Sequence, residues 1–225
     1  MSIDYNPFFK KYLSLVKAAD QIFEHVMKTH PDCVKCKISC SDCCHALFDL
    51  TLIEAIYLNH RFKKASGDLD KQSILEKANK IDRQIHRIKK KALRELKGGK
   101  NDREILKALA SERVRCPLLN QNDQCDLYEH RPITCRFYGI PTAISGEGHT
   151  CGKSGFVKGK SYPTVSLDAV NKQLQEITAE FLRDINTRHI KMVDMLVPLS
   201  MALLTVFDEE YLGIDTSEKD AAYGK

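Results

Sequence analysis

The chain has 225 residues, 43% of them hydrophobic and 29% charged, and a formal net charge of +5. A chain of that length buries a real core, so its nine cysteines are not needed as the staples of a mini-protein. The charge is mild and supports no nucleic-acid assignment by itself.

The N-terminus, Met1-Ser2-Ile3-Asp4-Tyr5-Asn6, shows no basic segment leading into an apolar run, so no secretory signal is expected. The longest apolar stretch, Met195 to Phe207, is broken by Pro198 and too short to cross a bilayer. A cytoplasmic location is the expectation. Thiols stay reduced there, and an odd cysteine count does not suit complete intramolecular pairing.

In chain order, Asn6 is read as the cap of a helix with Pro7 at its first position. Phe9, Tyr12, Val16, Ala19, Phe23 and Val26 give it a buried stripe to about Thr29, before Pro31. His25 and His30 close it and are weak ligand candidates. Thr51 and Glu54 form a capping box that predicts a helix to about Lys64, followed by a turn at Gly67 and Asp68. Ile74, Ala78, Ile81, Ile85, Ile88 and Ala92 alternate four and three apart, predicting a long helix with a coiled-coil-like seam. Arg83, Arg87, Lys89, Lys90, Lys91, Arg94 and Lys97 occupy its other faces, and Gly98-Gly99 ends it. Asn101 caps a short helix to about Glu112.

From Val114 to Tyr162 helical periodicity stops and Gly and Pro accumulate. This predicts turn-rich structure, short strands near Arg136 to Ile140 and Tyr162 to Val165, and metal binding in place of core. Ser166 caps a helix whose stripe is Val170, Leu174, Ile177, Phe181 and Ile185. The segment from Ile190 to Phe207 reads as a central buried helix, with Pro198 kinking it or starting a new one. The acidic and polar tail from Asp208 is expected to fray.

The cysteines fall into two groups. Cys33, Cys36, Cys40, Cys43 and Cys44 lie within twelve residues, whereas Cys116, Cys125, Cys135 and Cys151 are spread over the turn-rich segment. Thiolates this close in sequence reach one metal centre from one loop. Adjacent side chains point apart, so Cys43 and Cys44 are expected to serve two ions or two corners of a polynuclear site. Arg131 and Arg136 flank Cys135, where fixed cations stabilise thiolate. His45, His130 and His149 lie close enough in sequence to ligate or to hydrogen-bond a ligand.

The segments Cys36-Lys37-Ile38-Ser39-Cys40-Ser41-Asp42-Cys43-Cys44, Cys116-Pro117-Leu118-Leu119 and Cys125-Asp126-Leu127-Tyr128-Glu129-His130-Arg131-Pro132-Ile133-Thr134-Cys135-Arg136 resemble the YkgJ-like cysteine-cluster family, described as a domain proposed to chelate zinc or iron. The family pattern resembles C-x3-C-x2-C-C, then C-P-x-L, then C-x-(I/L)-Y-x-x-R-P-x-x-C-R, then a last cysteine. The resemblance implies Cys36, Cys40, Cys43, Cys44, Cys116, Cys125, Cys135 and Cys151 as metal ligands and leaves Cys33 over. It covers about Cys33 to Gly155, and Thr51 and Glu54 match the family's next helix. Many members carry Gly where this chain has Ser41, which predicts a differently shaped loop.

These readings together predict a mainly α fold, a helical bundle with an irregular, cysteine-rich, metal-organised cap. The expected organisation is one domain over 1–225, with a cysteine core at about 33–155 and helical extensions at 6–29 and 166–208. The leading function is metal binding, by an iron–sulfur cluster (4Fe–4S favoured) or by zinc, in a structural or electron-transfer role. One alternative is a protein-modifying enzyme related to flagellin lysine methylase, which is similar over the cysteine domain. No Gly-rich nucleotide loop follows a strand here to support a methyl-donor cofactor. A second alternative is a nucleic-acid-binding module using the basic helix at 83–100, which lacks aromatic residues for stacking. The expected partner is a metal ion or cluster. Nucleic acid and membrane are not expected, and the identity of any protein partner is left open.

Overall fold

The computed structural model describes residues 3–67 and 69–214. Asp68 of the expected turn and the tail beyond Ile214 lie outside the described residues. The fold is mainly α, as the periodicities predicted.

The first helix, α1, spans Asn6–Thr29 and buries Phe8, Phe9, Tyr12, Val16, Ala19 and Val26. Its cap sits one residue earlier than the sequence suggested: Tyr5 is the N-cap, and Asp4 Oδ1 accepts the Asn6 N–H at 3.0 Å. A short strand, β1 (Asp49–Thr51), then runs directly into α2 (Leu52–Lys64). This helix, with residues from Leu52 to Asn59 and Phe62 buried, is the centre of the molecule. Its capping box forms as read. Glu54 Oε2 accepts from Thr51 N at 3.2 Å and from Thr51 Oγ1 at 3.0 Å.

The long helix α3 spans Lys71–Lys97, and Asn101 caps α4 (Asp102–Ser111), which folds back on it. Of the predicted seam only Ile74, Ala78 and Ile85 are buried in α3. Lys89 reaches Asp49 Oδ2 at 2.6 Å, so one cation of the basic face is committed to the body of the protein.

Two sequence expectations are corrected beyond this point. Residues 136–140 are not a strand: Ile133–Phe137 is a helical turn, α5, begun by Pro132. Ile133 and Phe137 lie four apart and are both buried, a spacing that suits a helix and not a strand. The strands in this part are β2 (Thr142–Ile144), β3 (Glu147–His149) and β4 (Val165–Ser166), in the order β3-β2-β4. Ser166 then caps α6 (Leu167–Asp184) through a 3.3 Å hydrogen bond from Ala169 N. The second correction is the expected central helix at 190–207. It is a 3-10 turn (Ile190–Asp194), a strand β5 (Leu196–Pro198) and a short helix α7 (Leu199–Leu204). Ile190 is 74% and Leu196 58% exposed, so apolar composition alone misled. β5 pairs antiparallel with β1, Leu50 opposite Val197, and Pro198 starts α7 instead of kinking a longer helix. The α7 terminus is closed from α2, where the buried Asn59 Nδ2 donates to Ala202 O at 2.8 Å and to Thr205 O at 3.0 Å.

Candidate metal centre

Backbone hydrogen bonds bring the two cysteine groups together. Cys43 and Cys44 lie in a 3-10 turn, Asp42–His45. The chain beyond α4 returns antiparallel to it: Ala46 bridges Arg113, Val114 N donates to His45 O at 2.9 Å, and Cys116 N donates to Cys44 O at 2.7 Å. A turn at Cys116 and a bridge between Leu119 and Cys125 fold the next segment back, and Cys135 enters on α5.

The result is one cavity lined by Cys43, Cys44, Cys116, Cys125 and Cys135, with Arg131 as a cation beside them. The rest of the lining is largely apolar and includes Phe48, Ile81, Ile85 and Leu118. Cys43 and Cys44 were expected to point apart, yet both face this cavity. The tight 3-10 turn, unlike an extended strand, does not send neighbours to opposite faces. The cavity is about 50 Å³. That is far below the roughly 300–1,000 Å³ of organic-ligand pockets. A nucleoside-sized methyl donor does not fit there. A shallow basin of about 720 Å³ is lined by Arg188, His189, Ile190, Lys191, Met192, Met195 and Tyr211, and no cysteine borders it.

Burial dominates the electrostatics. It raises Cys116 to about 12 and Cys125 to about 11, and holds Cys135 well above the ordinary thiol value, with the charges of neighbouring cysteines adding to it. Cys43 is the exception. A hydrogen bond from the Cys44 thiol lowers it against the effect of burial, and Arg131 helps, while Cys44 is raised by the same bond. A metal entering this cavity must therefore displace protons, so its affinity falls with falling pH.

The two flanking arginines do different things. Arg131 lines the cavity and lies over the Tyr128 ring at 4.0 Å. The Arg136 side chain is 4% exposed and points away, holding Asp20 of α1 at 2.8 and 2.6 Å, Glu129 O at 2.7 Å and Arg131 O at 3.1 Å. Glu54 completes the frame. Its Oε1 accepts from Ile133 N at 3.2 Å, tying the start of α5 to the start of α2.

The other three predicted ligands lie outside the cavity lining. Cys36, Cys40 and Cys151 act on one another electrostatically, and burial raises Cys36 to about 11. Cys151 Sγ donates to Asp42 Oδ2 at 3.4 Å, and Arg113 Nη2 holds Asp42 Oδ1 at 2.8 Å. Cysteine spacing does not single out Asp42; a carboxylate inside a cysteine run is the available signal. Gly139 was missed too. A Cβ there would overlap Cys36 Sγ, so a residue without one is needed. Cys33 takes part through its backbone, accepting Gly155 N at 2.8 Å. Ser41 has φ −109, so a side chain at this position costs nothing; the positive φ of the loop falls on Ser39, at 66. The neighbouring histidines do not line the cavity: His45 Nδ1 is 3.0 Å from Ser41 O, His130 Nδ1 is 3.3 Å from Tyr57 Oη, and His149 is exposed on β3.

The donor set fits a soft metal: five thiols, two cations (Arg115 and Arg131), and no carboxylate or imidazole among the described lining residues. Among the described residues, no three thiol, imidazole or carboxylate groups are gathered closely enough to hold one ion. All nine cysteines are free. No helix among the described residues is long and apolar enough to cross a membrane.

Residues 33–152 match the model of the CxxCxxCC family, described as a proposed zinc- or iron-chelating domain. The match begins at Cys33 and ends one residue beyond Cys151. No curated protein and no solved structure matches the chain.

Proposed function

The chain belongs to the CxxCxxCC family of zinc- or iron-chelating domains, and from that premise we propose that its eight family-pattern cysteines bind metal, with an iron–sulfur cluster of the 4Fe–4S type in the five-thiol cavity. The observation that carries this reading is the shared cavity of Cys43, Cys44, Cys116, Cys125 and Cys135, whose donors are all sulfur and whose other lining is mostly apolar. A single tetrahedral zinc draws its thiolates to about 3.8 Å from one another, given Zn–S bonds of about 2.3 Å. Inorganic sulfides in a cluster hold the cysteines further apart, which suits thiols that face one cavity without meeting at one point.

The role we propose is electron transfer. Metal as a substitute for core is not required, because the turn-rich segment buries Val114, Leu118, Leu119, Leu127, Ile133, Phe137 and Ile140. A bound cluster supplies a one-electron couple. The protein contributes the rest: an apolar wall that limits water, and Arg131, whose charge favours the more negative, reduced state less harshly penalised by burial than it would be without a cation.

Anaerobic purification followed by visible spectroscopy and iron, sulfide and zinc analysis tests the proposal. The expected protein is brown, carries iron and sulfide in equal amounts, and bleaches reversibly with dithionite. A colourless protein that carries zinc alone refutes the cluster.

A further inference from the structure

Three cysteines remain outside the five-thiol cavity, and they have a carboxylate beside them. We propose that Cys36, Cys40, Cys151 and Asp42 form a second, separate metal site that takes one divalent cation of the zinc class. The proposal rests on the reading of the family cysteines as metal ligands, and adds which of them share a centre.

Four observations carry it. The first is the separation of the two sets: none of Cys36, Cys40 and Cys151 lines the cavity that the other five enclose. The second is one measured pair. Zn–S and Zn–O bonds of about 2.3 and 2.0 Å at a tetrahedral angle place sulfur and oxygen about 3.5 Å apart. Cys151 Sγ and Asp42 Oδ2 stand at 3.4 Å. They already have the spacing of two ligands on one ion.

The third observation is how Asp42 is held. Arg113 Nη2 donates to Asp42 Oδ1 at 2.8 Å, and Arg113 Nη1 donates to Tyr138 Oη at 3.2 Å. One carboxylate oxygen is thus fixed from behind and the other is turned to the cysteine. That is the arrangement in which an outer hydrogen bond orients a ligating carboxylate. The fourth is the approach of the remaining donors. Gly139 follows Tyr138 directly, and its missing side chain makes the space that Cys36 Sγ occupies. Gly155 N bonded to Cys33 O at 2.8 Å pins the Cys151 loop against the Cys33–Cys44 loop.

The four donors are not yet gathered on one point. Ile38 between Cys36 and Cys40 is 84% exposed, so the tip of this loop is not held by the core as the donors close on an ion. Closure replaces three thiol protons with one M²⁺ and leaves the carboxylate charge in place, so three protons are released for each ion bound.

The experiment is metal stoichiometry on intact protein, with the visible spectrum recorded on the same samples. Variants are Cys151→Ser, Asp42→Asn, Cys33→Ser and Cys125→Ser, with circular dichroism to check folding and Zn²⁺ titration by calorimetry as a second readout. Wild-type protein is expected to bind one divalent ion beyond the cavity centre. Cys151→Ser and Asp42→Asn lose that ion, or weaken it at least tenfold, and keep the cavity metal and its spectrum. Cys125→Ser does the reverse. If the cavity holds zinc instead of a cluster, the same partition appears as two zinc ions lost separately, and only the cluster assignment fails. Loss of both centres in every variant that still folds overturns the second site. If Cys33→Ser loses the ion and Asp42→Asn keeps it, the fourth ligand is Cys33 and the role given to Asp42 is wrong.

Discussion

Replacing Asp20 with Asn removes one charge from the bond that holds the cysteine-bearing helical turn α5 onto α1. Asp20 receives both its hydrogen bonds from Arg136 Nη1, at 2.8 and 2.6 Å. Charge-assisted bonds contribute roughly 1.5–3 kcal/mol each in net terms. Asp20 keeps 40% of its side chain in water and Asn still accepts one bond, so the expected cost is near the low end, about 1–2 kcal/mol. Arg136→Ala is harsher. The arginine is 4% exposed, and its loss also strips Glu129 O and Arg131 O of their donors. Two orphaned carbonyls at roughly 1–3 kcal/mol each, together with the lost ion pair, put its cost at about 3–5 kcal/mol. At the 2–4 °C per kcal/mol usual for chains of this size, Tm should fall by roughly 2–8 °C for Asp20→Asn and by roughly 6–20 °C for Arg136→Ala. Thermal unfolding by circular dichroism at matched metal loading measures both, since unequal loading would itself shift Tm. If the two variants match wild type, or if Asp20→Asn is the worse, the bond is not what fastens α5.

Three further outcomes are expected. Gly139→Ala should displace Cys36 and lower the divalent-ion content while leaving the five-thiol cavity loaded, which metal analysis reads directly. Asn59→Leu leaves Ala202 O and Thr205 O without the Asn59 donor and should destabilise the protein by about 2–4 kcal/mol in urea titration, a loss of roughly 1–3 kcal/mol being usual for each orphaned buried group. Glu54 changes the pH dependence. Burial raises its pKa above the ordinary 4.5 against its three hydrogen bonds, so the folded chain holds a proton that the unfolded chain releases. The associated stability is fully present below the unfolded value and is lost as pH rises through the folded one. Glu54→Gln should remove that downward slope with rising pH, and an unchanged slope would falsify the assignment.

Several elements were legible because a local rule decided them. Thr51 and Glu54 announced α2, Asn101 announced α4 and Ser166 announced α6, each through a side chain bonding its own helix terminus. The cysteine spacing announced a metal-binding domain. What stayed hidden depends on partners distant in sequence. Residues 196–198 are a strand because β1, nearly 150 residues earlier, offers its edge. Glu54 shows both cases at once: its bond to Thr51 is local and was read, whereas its bond to Ile133 was not. Arg131 and Arg136 look equivalent beside Cys135, yet Arg136 is buried and bonded to Asp20 of α1 at 2.6 Å, whereas Arg131 stands 3.8 Å from the same carboxylate and also lines the cavity. Asp42 was passed over because neither Arg113 nor Cys151 is near it in the chain.

The bond from Cys116 N to Cys44 O has a consequence in time. Seventy-one residues separate these two positions, and α3 and α4 fill most of that interval. At roughly 5–20 residues per second of synthesis, Cys116 follows Cys44 out of the ribosome by about 4–14 seconds. Throughout that interval Cys43 and Cys44 stand without the wall that Cys116, Cys125 and Cys135 bring. Oxidation or a wrong metal threatens this half-built cavity more than the finished one. A hairpin of two helices that forms within microseconds shortens the wait only after its own residues have been made. The order of the two cysteine groups along the chain therefore makes loading of the five-thiol cavity a late event, complete only once the second group has docked.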